Sequence, residues 1–296
     1  MKIERIDTFA GHRGAVYALC SGQEPHVFYS AGSDGWVVQW DLQKPDVGKV
    51  VAQITGSIYA MIYDSETGIL WVGQNFEGVH GILVADQTRL FSIQLPQLAI
   101  YAMEIKQDQV WVGHQDGLIT VIDKQAQAIK KRIKSGESNI RSFCLLPDSE
   151  IALGSSDGYI RIFGANFELN KAWLAHDKSV FALNYQSATS SLASVGRDAY
   201  LKKWDLAGAL IVEPVPAHIY SINAIAQSPC GNYFATGSMD KTIKIWEVST
   251  LKLLKVIDFA RYGGHKNSIN RLIWTSFQDF LISGSDDKNI SVWKIE

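Results

Sequence analysis

Short runs of alternating hydrophobic and polar residues recur along this sequence, and turn residues separate them. A typical series comprises residues 221–225, 233–236 and 242–246, with the turn sequence PCGN at 229–232 after the first run. Alternation with a period of two predicts strands with one buried face. Helical periodicity is hard to find. The pattern predicts an all-β protein made of short strands.

The strand series itself repeats with a nearly constant period. The segments that end at residues 42, 206, 248 and 295 each place an aspartate six residues before a tryptophan. Two further segments have Ile122 or Phe163 in place of the tryptophan, and a seventh fits with one inserted residue and Glu77 as the acid. The acids lie at positions 34, 77, 116, 157, 198, 240 and 287, so the intervals are 43, 39, 41, 41, 42 and 47 residues. Seven units therefore account for the chain.

A period of ~40–45 residues with Gly-His and Trp-Asp signatures is that of the WD repeat, in which each unit is one propeller blade. The chain resembles the WD40 family over its whole length. The resemblance implies an all-β, single seven-bladed β-propeller of four-stranded antiparallel blades, numbered here 1 to 7 in the order of the acids. We expect one domain over residues 1–296. The expected repeats are 10–41, 52–85, 94–123, 134–164, 174–205, 216–247 and 263–294.

The two ends of the chain complement each other. The last unit stops at Glu296, directly after its third strand, and residues 3–9 form an orphan alternating segment before the first unit. The resemblance implies that residues 3–9 supply the missing strand of blade 7, built from residues 265–296. This pairing also removes exposed strand edges. We expect the N-terminal strand to close the ring.

Composition restricts the function classes. Hydrophobic residues make up 47% of the chain and charged residues 20%, with a net charge of −2, which is too little positive charge for bulk nucleic-acid binding. Three distant cysteines, Cys20, Cys144 and Cys230, cannot form a disulfide framework or a zinc site. No run is apolar enough for a signal peptide or a membrane helix. We expect a cytoplasmic protein that is monomeric by itself, with no cofactor, metal or membrane contact.

Four blades carry polar residues that the resemblance implies to be hydrogen-bonded: a histidine before the first strand, a hydroxyl in the second, the turn aspartate and the third-strand tryptophan. These structural networks are His12, Ser30, Asp34 and Trp40; His176, Ser194, Asp198 and Trp204; His218, Thr236, Asp240 and Trp246; and His265, Ser283, Asp287 and Trp293. A Ser–His–Asp set also suggests catalysis, but four copies indicate a structural role. Residues 154–158 satisfy G-x-S-x-G, yet a strand–turn–strand hairpin is expected there. We expect no catalytic residues and no enzyme.

Blades 2, 3 and 4 depart from this pattern. Their histidine positions hold Ile54, Pro96 and Gly136. We expect Trp71 and Trp111 to be buried and to fill the space of the missing third-strand tryptophan; the alternative is that they are exposed as binding residues. We also expect Asp157→Ala to cost less stability than Asp198→Ala. The basic run 130–134 is expected on the outer strand of blade 3, where lysines discourage aggregation between sheet edges. The second interpretation is that this run binds an acidic partner.

One face of the propeller, around the mouth of the channel, is the usual partner surface of this family. One position in each first strand is expected to point toward that mouth: Tyr17, Tyr59, Tyr101, Arg141, Phe181, Asn223 and Asn270. The residue before each turn acid is expected on the same face: Ser33, Phe76, Gln115, Ser156, Arg197, Met239 and Asp286. Because Tyr, Phe and Arg are typical of interface hot spots, the expected partner-binding residues are Tyr17, Tyr59, Phe76, Tyr101, Arg141, Phe181, Arg197 and Met239. The alternative is that the aromatic side chains only fill the channel.

The sequence thus predicts a non-enzymatic interaction module, or scaffold, that binds a peptide segment or protein partner with an apolar anchor and an acidic flank. The alternative is single-stranded nucleic acid, with bases stacked on Tyr17, Tyr59 and Tyr101 and phosphates held by Arg141, Arg197, Lys241 and Lys288. Steep salt dependence of binding would favour nucleic acid, and weak dependence a peptide. An enzyme comes third, because no convergent acid–base, metal or cofactor motif is present.

Overall fold

The computed structural model describes residues 1–45 and 48–296, and these residues form seven four-stranded antiparallel sheets. Blade 1 contains β2 (Val16–Ser21), β3 (Val27–Gly32), β4 (Trp36–Asp41) and β5 (Lys49–Gln53). Blade 2 contains β6 (Met61–Asp64), β7 (Ile69–Gln74), β8 (Gly78–Leu83) and β9 (Thr88–Gln94). Blade 3 contains β10 (Ile100–Lys106), β11 (Gln109–His114), β12 (Leu118–Asp123) and β13 (Ala128–Lys134). Blade 4 contains β14 (Ile140–Leu145), β15 (Ile151–Ser155), β16 (Tyr159–Phe163) and β17 (Leu169–Leu174).

The remaining blades have the same order. Blade 5 contains β18 (Val180–Gln186), β19 (Ser191–Gly196), β20 (Tyr200–Asp205) and β21 (Val215–Pro216), with a 3-10 turn at Ser187–Thr189. Blade 6 contains β22 (Ile222–Gln227), β23 (Tyr233–Ser238), β24 (Ile243–Glu247) and β25 (Leu253–Ile257), followed by the short helix α1 (Phe259–Tyr262). Blade 7 contains β26 (Ile269–Trp274), β27 (Leu281–Ser285), β28 (Asn289–Ile295) and β1 (Ile3–Ala10). The predicted fold class, an all-β seven-bladed propeller of four-stranded blades, is confirmed.

Blade 7 joins the two ends of the chain. Strand β1 pairs antiparallel with β28, from Ile3 opposite Ile295 to Ala10 opposite Asn289, with one register shift between Arg5 and Asp7. The predicted closure by the N-terminal strand is therefore confirmed.

The chain divides into two compact units. The first comprises residues 1–74, 79–92 and 223–296 and carries blades 1 and 7 with most of blades 2 and 6. The second comprises residues 75–78 and 93–222 and carries blades 3, 4 and 5. The single domain over residues 1–296 and the repeat boundaries stay predictions.

The core lies between the faces of neighbouring blades within each unit. In the first unit, Phe9 of β1 packs with Trp40 and Ile290, all almost fully buried. Central strands such as β27 are buried at every position. Their sequences therefore consist of apolar and small residues and do not alternate between hydrophobic and polar ones. Trp71 and Trp111 are also fully buried, which confirms the interpretation that they supply bulk. The basic run lies in β13 at the outer edge of blade 3, as predicted.

The turn aspartates have a local role that does not depend on the rest of a network. In six blades the carboxylate accepts a hydrogen bond from the backbone N–H two residues later, as an Asx-turn does. The acids are Asp34, Asp116, Asp157, Asp198, Asp240 and Asp287. The residue after the acid has a positive φ in each of them, which is why Gly35 (φ 71°) and Gly158 (φ 86°) follow their acids. This geometry explains why blades 3 and 4 retain the acid without the histidine.

Candidate functional site

In five blades the position that the sequence places at the mouth is a β-bulge. The register between the first and second strands shifts there, and the residue at the shift has no partner in the ladder. The bulged residues are Tyr17, Tyr101, Arg141, Phe181 and Asn270. A bulge re-aims a side chain and ends regular pairing. Tyr59 lies two residues before β6, outside a strand.

In the second unit, Arg141 stacks between two aromatic rings. Its guanidinium carbon lies 4.4 Å from the ring centroid of Tyr101 and 4.9 Å from that of Phe181. Blades 3, 4 and 5 each contribute one of these three half-buried residues. The contacts have cation–π geometry, and they hold a long side chain in place before any ligand arrives. We call these three residues the Arg141 cluster.

In the first unit, Tyr17 and Tyr59 form an aromatic pair. Their ring centroids are 4.9 Å apart and the planes are inclined by 38°. Burial raises the pKa of the Tyr17 phenol, and the nearby Tyr59 and Asp286 raise it further. Tyr17 is therefore a neutral hydrogen-bonding group at physiological pH. The pair gives this unit an apolar patch of its own.

The two asparagines at mouth positions connect blades within the first unit. The side-chain amide of Asn223 donates to the carbonyl of Ile269 at 2.9 Å, which joins blade 6 to blade 7. The amide of Asn270 donates to the carbonyl of Val16 at 2.9 Å and to Asp286 Oδ1 at 2.8 Å, which joins blade 7 to blade 1. These side chains therefore have a structural task, which agrees with their absence from the expected partner-binding residues.

The turn of blade 2 is aligned differently from the sequence-based prediction. Four turn residues are exposed directly before an acid: Ser33, Gln115, Arg197 and Met239. In blade 2, however, the carbonyl of Glu77 accepts from the N–H of Leu95 at 2.9 Å, just as that of Gly35 accepts from Ile54 at 2.8 Å in blade 1. Glu77 thus corresponds to the residue after the acid. Phe76 occupies the position of the acid itself, with 56% of its surface exposed.

The polar residues of blade 5 form a continuous buried chain. Trp204 Nε1 donates to Ser194 Oγ at 2.8 Å, Ser194 Oγ lies 2.7 Å from His176 Nε2, and His176 Nδ1 lies 2.8 Å from Asp198 Oδ1. Because an indole N–H can only donate, the serine hydroxyl is left to donate to Nε2, and the histidine carries its proton on Nδ1. Blades 1 and 7 have the same chain, through His12, Ser30, Asp34 and Trp40 and through His265, Ser283, Asp287 and Trp293.

In blade 6, the first unit contains three of the four residues. Trp246 Nε1 donates to Thr236 Oγ1 at 2.8 Å, and Asp240 Oδ1 accepts from the N–H and the hydroxyl of Thr242. His218 lies in the second unit.

The pKa values of these groups agree with the direction of the hydrogen bonds. Burial raises the pKa of Asp287, but the hydrogen bond and the electrostatic interaction with His265 outweigh it and lower this pKa to about 2. Burial lowers the pKa of His176 and outweighs its hydrogen bond to Asp198, which raises it. Burial raises the pKa of Asp198, but its hydrogen bond and electrostatic interaction with His176 outweigh burial and lower this pKa as well, so blade 5 holds an ionised carboxylate and a neutral imidazole.

Blade 2 has a substitute network that sequence reasoning missed. His80 Nε2 lies 2.6 Å from Gln74 Oε1, and its Nδ1 lies 2.7 Å from Ser92 Oγ. The amide of Gln74 donates onward to the carbonyl of Thr55 at 3.1 Å.

Blades 3 and 4 also have substitutes. In blade 3, His114 Nε2 lies 3.0 Å from Thr120 Oγ1. In blade 4, Arg161 donates to Asp157 Oδ2 at 2.6 Å and to Ser155 Oγ at 2.6 Å. In all three blades the network begins at the last residue of the second strand and reaches the residue six positions later: 74 and 80, 114 and 120, 155 and 161. That recurring spacing was the available sequence signal.

His114 should make the stability of the protein depend on pH. Its Nδ1 has no hydrogen-bond partner in the part of the chain that the structure describes, and burial lowers its pKa from 6.5 to about 4. As the pH falls, the imidazole is therefore protonated in the unfolded chain before it is protonated in the folded chain. The folded state has its full stability above pH 6.5 and loses stability as the pH falls toward 4. Between pH 7 and pH 5 the expected loss is about 2 kcal/mol.

The measurement is urea unfolding at pH 7 and pH 5 for the native chain and His114→Gln. The variant should lose about 2 kcal/mol less on acidification. His26→Gln, at a half-exposed histidine, is the control for exchanging an imidazole for an amide. An unchanged pH dependence in His114→Gln would show that this imidazole is not the titrating group.

Neither a metal site nor a membrane span is found in the described structure. No three His, Cys, Asp or Glu side chains within residues 1–45 and 48–296 gather in a way that could hold an ion. Among the same residues, no helix has the length and apolar character needed to cross a bilayer.

Comparison with known proteins finds a family profile that matches three stretches of the chain. The sequence profile described as WD domain, G-beta repeat matches residues 3–41, 211–247 and 257–294. The chain is similar to the Striatin homolog of Dictyostelium discoideum, with 24% identity over 288 residues that cover 82% of this chain and 35% of that protein. It is also similar to the Guanine nucleotide-binding protein subunit beta of Oryza sativa subsp. japonica, with 24% identity over 271 residues, 84% of this chain and 60% of the relative.

A solved structure extends the likeness to the whole chain. The WD40 beta propeller domain of Doa1 superposes with a TM-score of 0.88 at 19% identity, covering 100% of this chain and 97% of that one. The whole chain therefore has the fold of that propeller, and three stretches of it match the WD-repeat profile. The chain spans 35% and 60% of the length of the two sequence relatives.

Proposed function

We propose that this chain is a non-enzymatic interaction module that binds a peptide segment of a protein partner through the Arg141 cluster. The observation that carries the proposal is the stacking of Arg141 between Tyr101 and Phe181. An arginine held by two rings loses little conformational freedom when a carboxylate binds to it, so the cluster is preorganised for an acidic side chain. The aromatic rings beside it provide apolar surface for an anchor residue.

The buried networks support a role without catalysis. Ser30, Ser194 and Ser283 have no exposed surface, and each hydroxyl is already bonded to a tryptophan and a histidine. A nucleophile must reach its substrate, which these hydroxyl groups cannot do. The three cysteines are unpaired, and we place the protein in the cytoplasm on that basis.

Two further observations favour a protein partner. One relative is by its name a subunit, the Guanine nucleotide-binding protein subunit beta, and therefore part of an assembly. In addition, the ring faces of Tyr101 and Phe181 that are turned toward Arg141 are occupied by its guanidinium group, which leaves fewer faces for stacking bases. Nucleic acid remains an outcome of the test.

The partner can be identified by affinity capture from a lysate of the source organism, with a photo-crosslinking amino acid at the exposed position Gln115. A captured protein segment should carry an apolar residue next to Asp or Glu. Its binding should depend weakly on salt, whereas an affinity that falls steeply with salt for a single-stranded oligonucleotide would favour the alternative.

Tyr101→Ala should weaken binding of the captured segment by about 2 kcal/mol, or roughly 30-fold, because the anchor and Arg141 both lose a ring. Arg141→Glu should weaken it further by repelling the acidic flank. Both variants should melt close to the native temperature, since the residues are half-buried. Isothermal titration calorimetry measures the affinities.

Lys130→Glu, on the exposed outer edge of blade 3, is the matched charge reversal and should have little effect. Loss of binding in this edge variant, with normal binding in both cluster variants, would place the site on the rim and contradict the proposal.

A further inference from the structure

The connection from blade 6 to blade 7 is longer than the others. The acids Asp240 and Asp287 are 47 residues apart, whereas the other intervals are 39 to 43. The additional residues form α1 and the two glycines after it, between β25 and β26. The chain thus adds a structured segment at one turn of the repeat, within the first unit.

This segment is held in place by hydrogen bonds and by Tyr262, which is half-buried against the core of the unit. Asp258 caps α1 by accepting from the N–H of Arg261 at 2.8 Å, and Gly263 ends it in the left-handed conformation with φ 65°. The guanidinium group of Arg5, on β1, donates to the carbonyl of Gly263. Nevertheless, no residue of α1 is fully buried, and Phe259 has 53% of its surface exposed. A fixed, exposed phenylalanine does not serve the core, because burying it would stabilise the fold.

Two cavities lie on either side of this ring. One, of about 400 Å³, is lined by Phe259, Ala260 and Lys241 on the blade 6 side. The other, of about 290 Å³, is lined by Phe259, Arg5 and polar side chains of blade 7. Lys266 belongs to the walls of both, with Nζ 5.3 Å from the centroid of Phe259. Each cavity is of a size that accepts one large side chain.

The charges around these cavities differ in exposure. The carboxylates of Asp240, Asp258 and Asp287 are half-buried and accept hydrogen bonds or form ion pairs. In contrast, the cations Arg5, Lys241 and Lys266 are exposed and form no ion pair among the residues that the structure describes. The charged groups that a ligand can reach at this surface are therefore mainly positive.

We propose that Phe259, Lys266, Arg5, Lys241 and Ala260, the Phe259 surface, bind a second peptide segment of a partner protein. An aromatic or aliphatic side chain of the segment packs on Phe259, and a carboxylate next to it pairs with Lys266 and Arg5. Charge complementarity defines the acidic side chain, and the exposed ring defines the apolar one. The surface uses none of the residues of the Arg141 cluster, so it does not rest on the function proposed above.

The test is a selection with a random-peptide library displayed on phage against the immobilised full-length chain. Enriched peptides should share an apolar residue next to Asp or Glu. A fluorescent copy of the most enriched peptide should bind Phe259→Ala about tenfold more weakly than the native chain, and Lys266→Glu more weakly still. Exchanging the acid of that peptide for lysine should restore affinity for Lys266→Glu, which a merely structural effect would not do.

Two matched variants test specificity. Leu174→Ala removes an equally exposed apolar side chain from β17, and Lys130→Glu reverses an exposed charge on β13. Both should bind the peptide like the native chain. All four variants should melt at the native temperature, because the side chains are exposed.

Three results at this surface would overturn the inference, and a fourth concerns the Arg141 cluster. These are no enrichment, enriched peptides that bind Phe259→Ala and Lys266→Glu as tightly as the native chain, or an oligonucleotide binding at this surface where no peptide does. Peptides that depend on Tyr101 and Arg141 alone would also overturn it while supporting the Arg141 cluster, so the two proposals can fail separately.

Discussion

Deleting residues 1–9 is expected to destabilise the protein severely and to cause aggregation. The deletion removes β1, whose whole length is paired with β28. It also removes Phe9, which stacks on Trp40 with ring centroids 5.2 Å apart, and Ile3, which packs in the core around Trp293. Two emptied core positions and an unpaired strand edge together should cost more than about 5 kcal/mol. Thermal melting and size-exclusion chromatography with light scattering measure the two effects.

The matched control is deletion of Met1 and Lys2 alone. Both residues are exposed and precede β1, so the loss should be small, although the backbone bonds between Lys2 and Glu296 disappear. If the chain without residues 1–9 melted like the full-length protein and stayed monomeric, the pairing of β1 would not contribute to stability and the closure would be irrelevant.

The fold could be predicted because the repeat carries redundant information. Seven copies of one strand pattern reinforce each other, so the departures in single blades do not obscure the period. The same redundancy explains why Trp71 and Trp111 were correctly predicted to be buried, since their blades have no tryptophan at the third-strand position.

The candidate site was less predictable, because it depends on features that a repeat does not encode. The sequence placed Asn223 and Asn270 beside the aromatic residues, but backbone carbonyls of the next blade lie within reach of their amides and determine their role. The sequence alignment of blade 2 chose Glu77 as the turn acid because it carries a charge. The backbone hydrogen bond from Leu95 to the Glu77 carbonyl shows instead that Glu77 follows the acid position, which Phe76 occupies. An insertion of one residue shifts such an assignment without changing the strand pattern.

The substitute networks of blades 2, 3 and 4 show the same limit. The sequence analysis did not pair His80 with Gln74 or His114 with Thr120. Residues six apart face each other only across the hairpin of the second and third strands, so this pairing becomes visible once the turn is located. The turn aspartate in blade 4 consequently has partners of its own, Ser155 and Arg161.

Asp198→Ala should cost about 3 kcal/mol of stability. The substitution leaves the Nδ1–H of His176, whose side chain has no exposed surface, without its acceptor, and it removes the negative charge 3.5 Å from Lys202 Nζ. The N–H of Tyr200 also loses its bond. Asp198→Asn keeps an acceptor oxygen for the imidazole and should lose only part of this energy. The midpoint of chemical denaturation, with an unchanged slope, gives the difference.

Asp157→Ala is the matched substitution in a blade without the histidine, and it should cost about 1 kcal/mol. Blade 4 has Gly136 at the histidine position, but Asp157 has a different partner, because Arg161 pairs with it at 2.6 Å. The Arg161 side chain is 13% exposed, so its guanidinium group can turn toward water, whereas His176 is fully enclosed. The cost of a lost acceptor depends on whether the donor can find another. Equal losses for the two substitutions would show that enclosure of the histidine does not determine the energy of these networks.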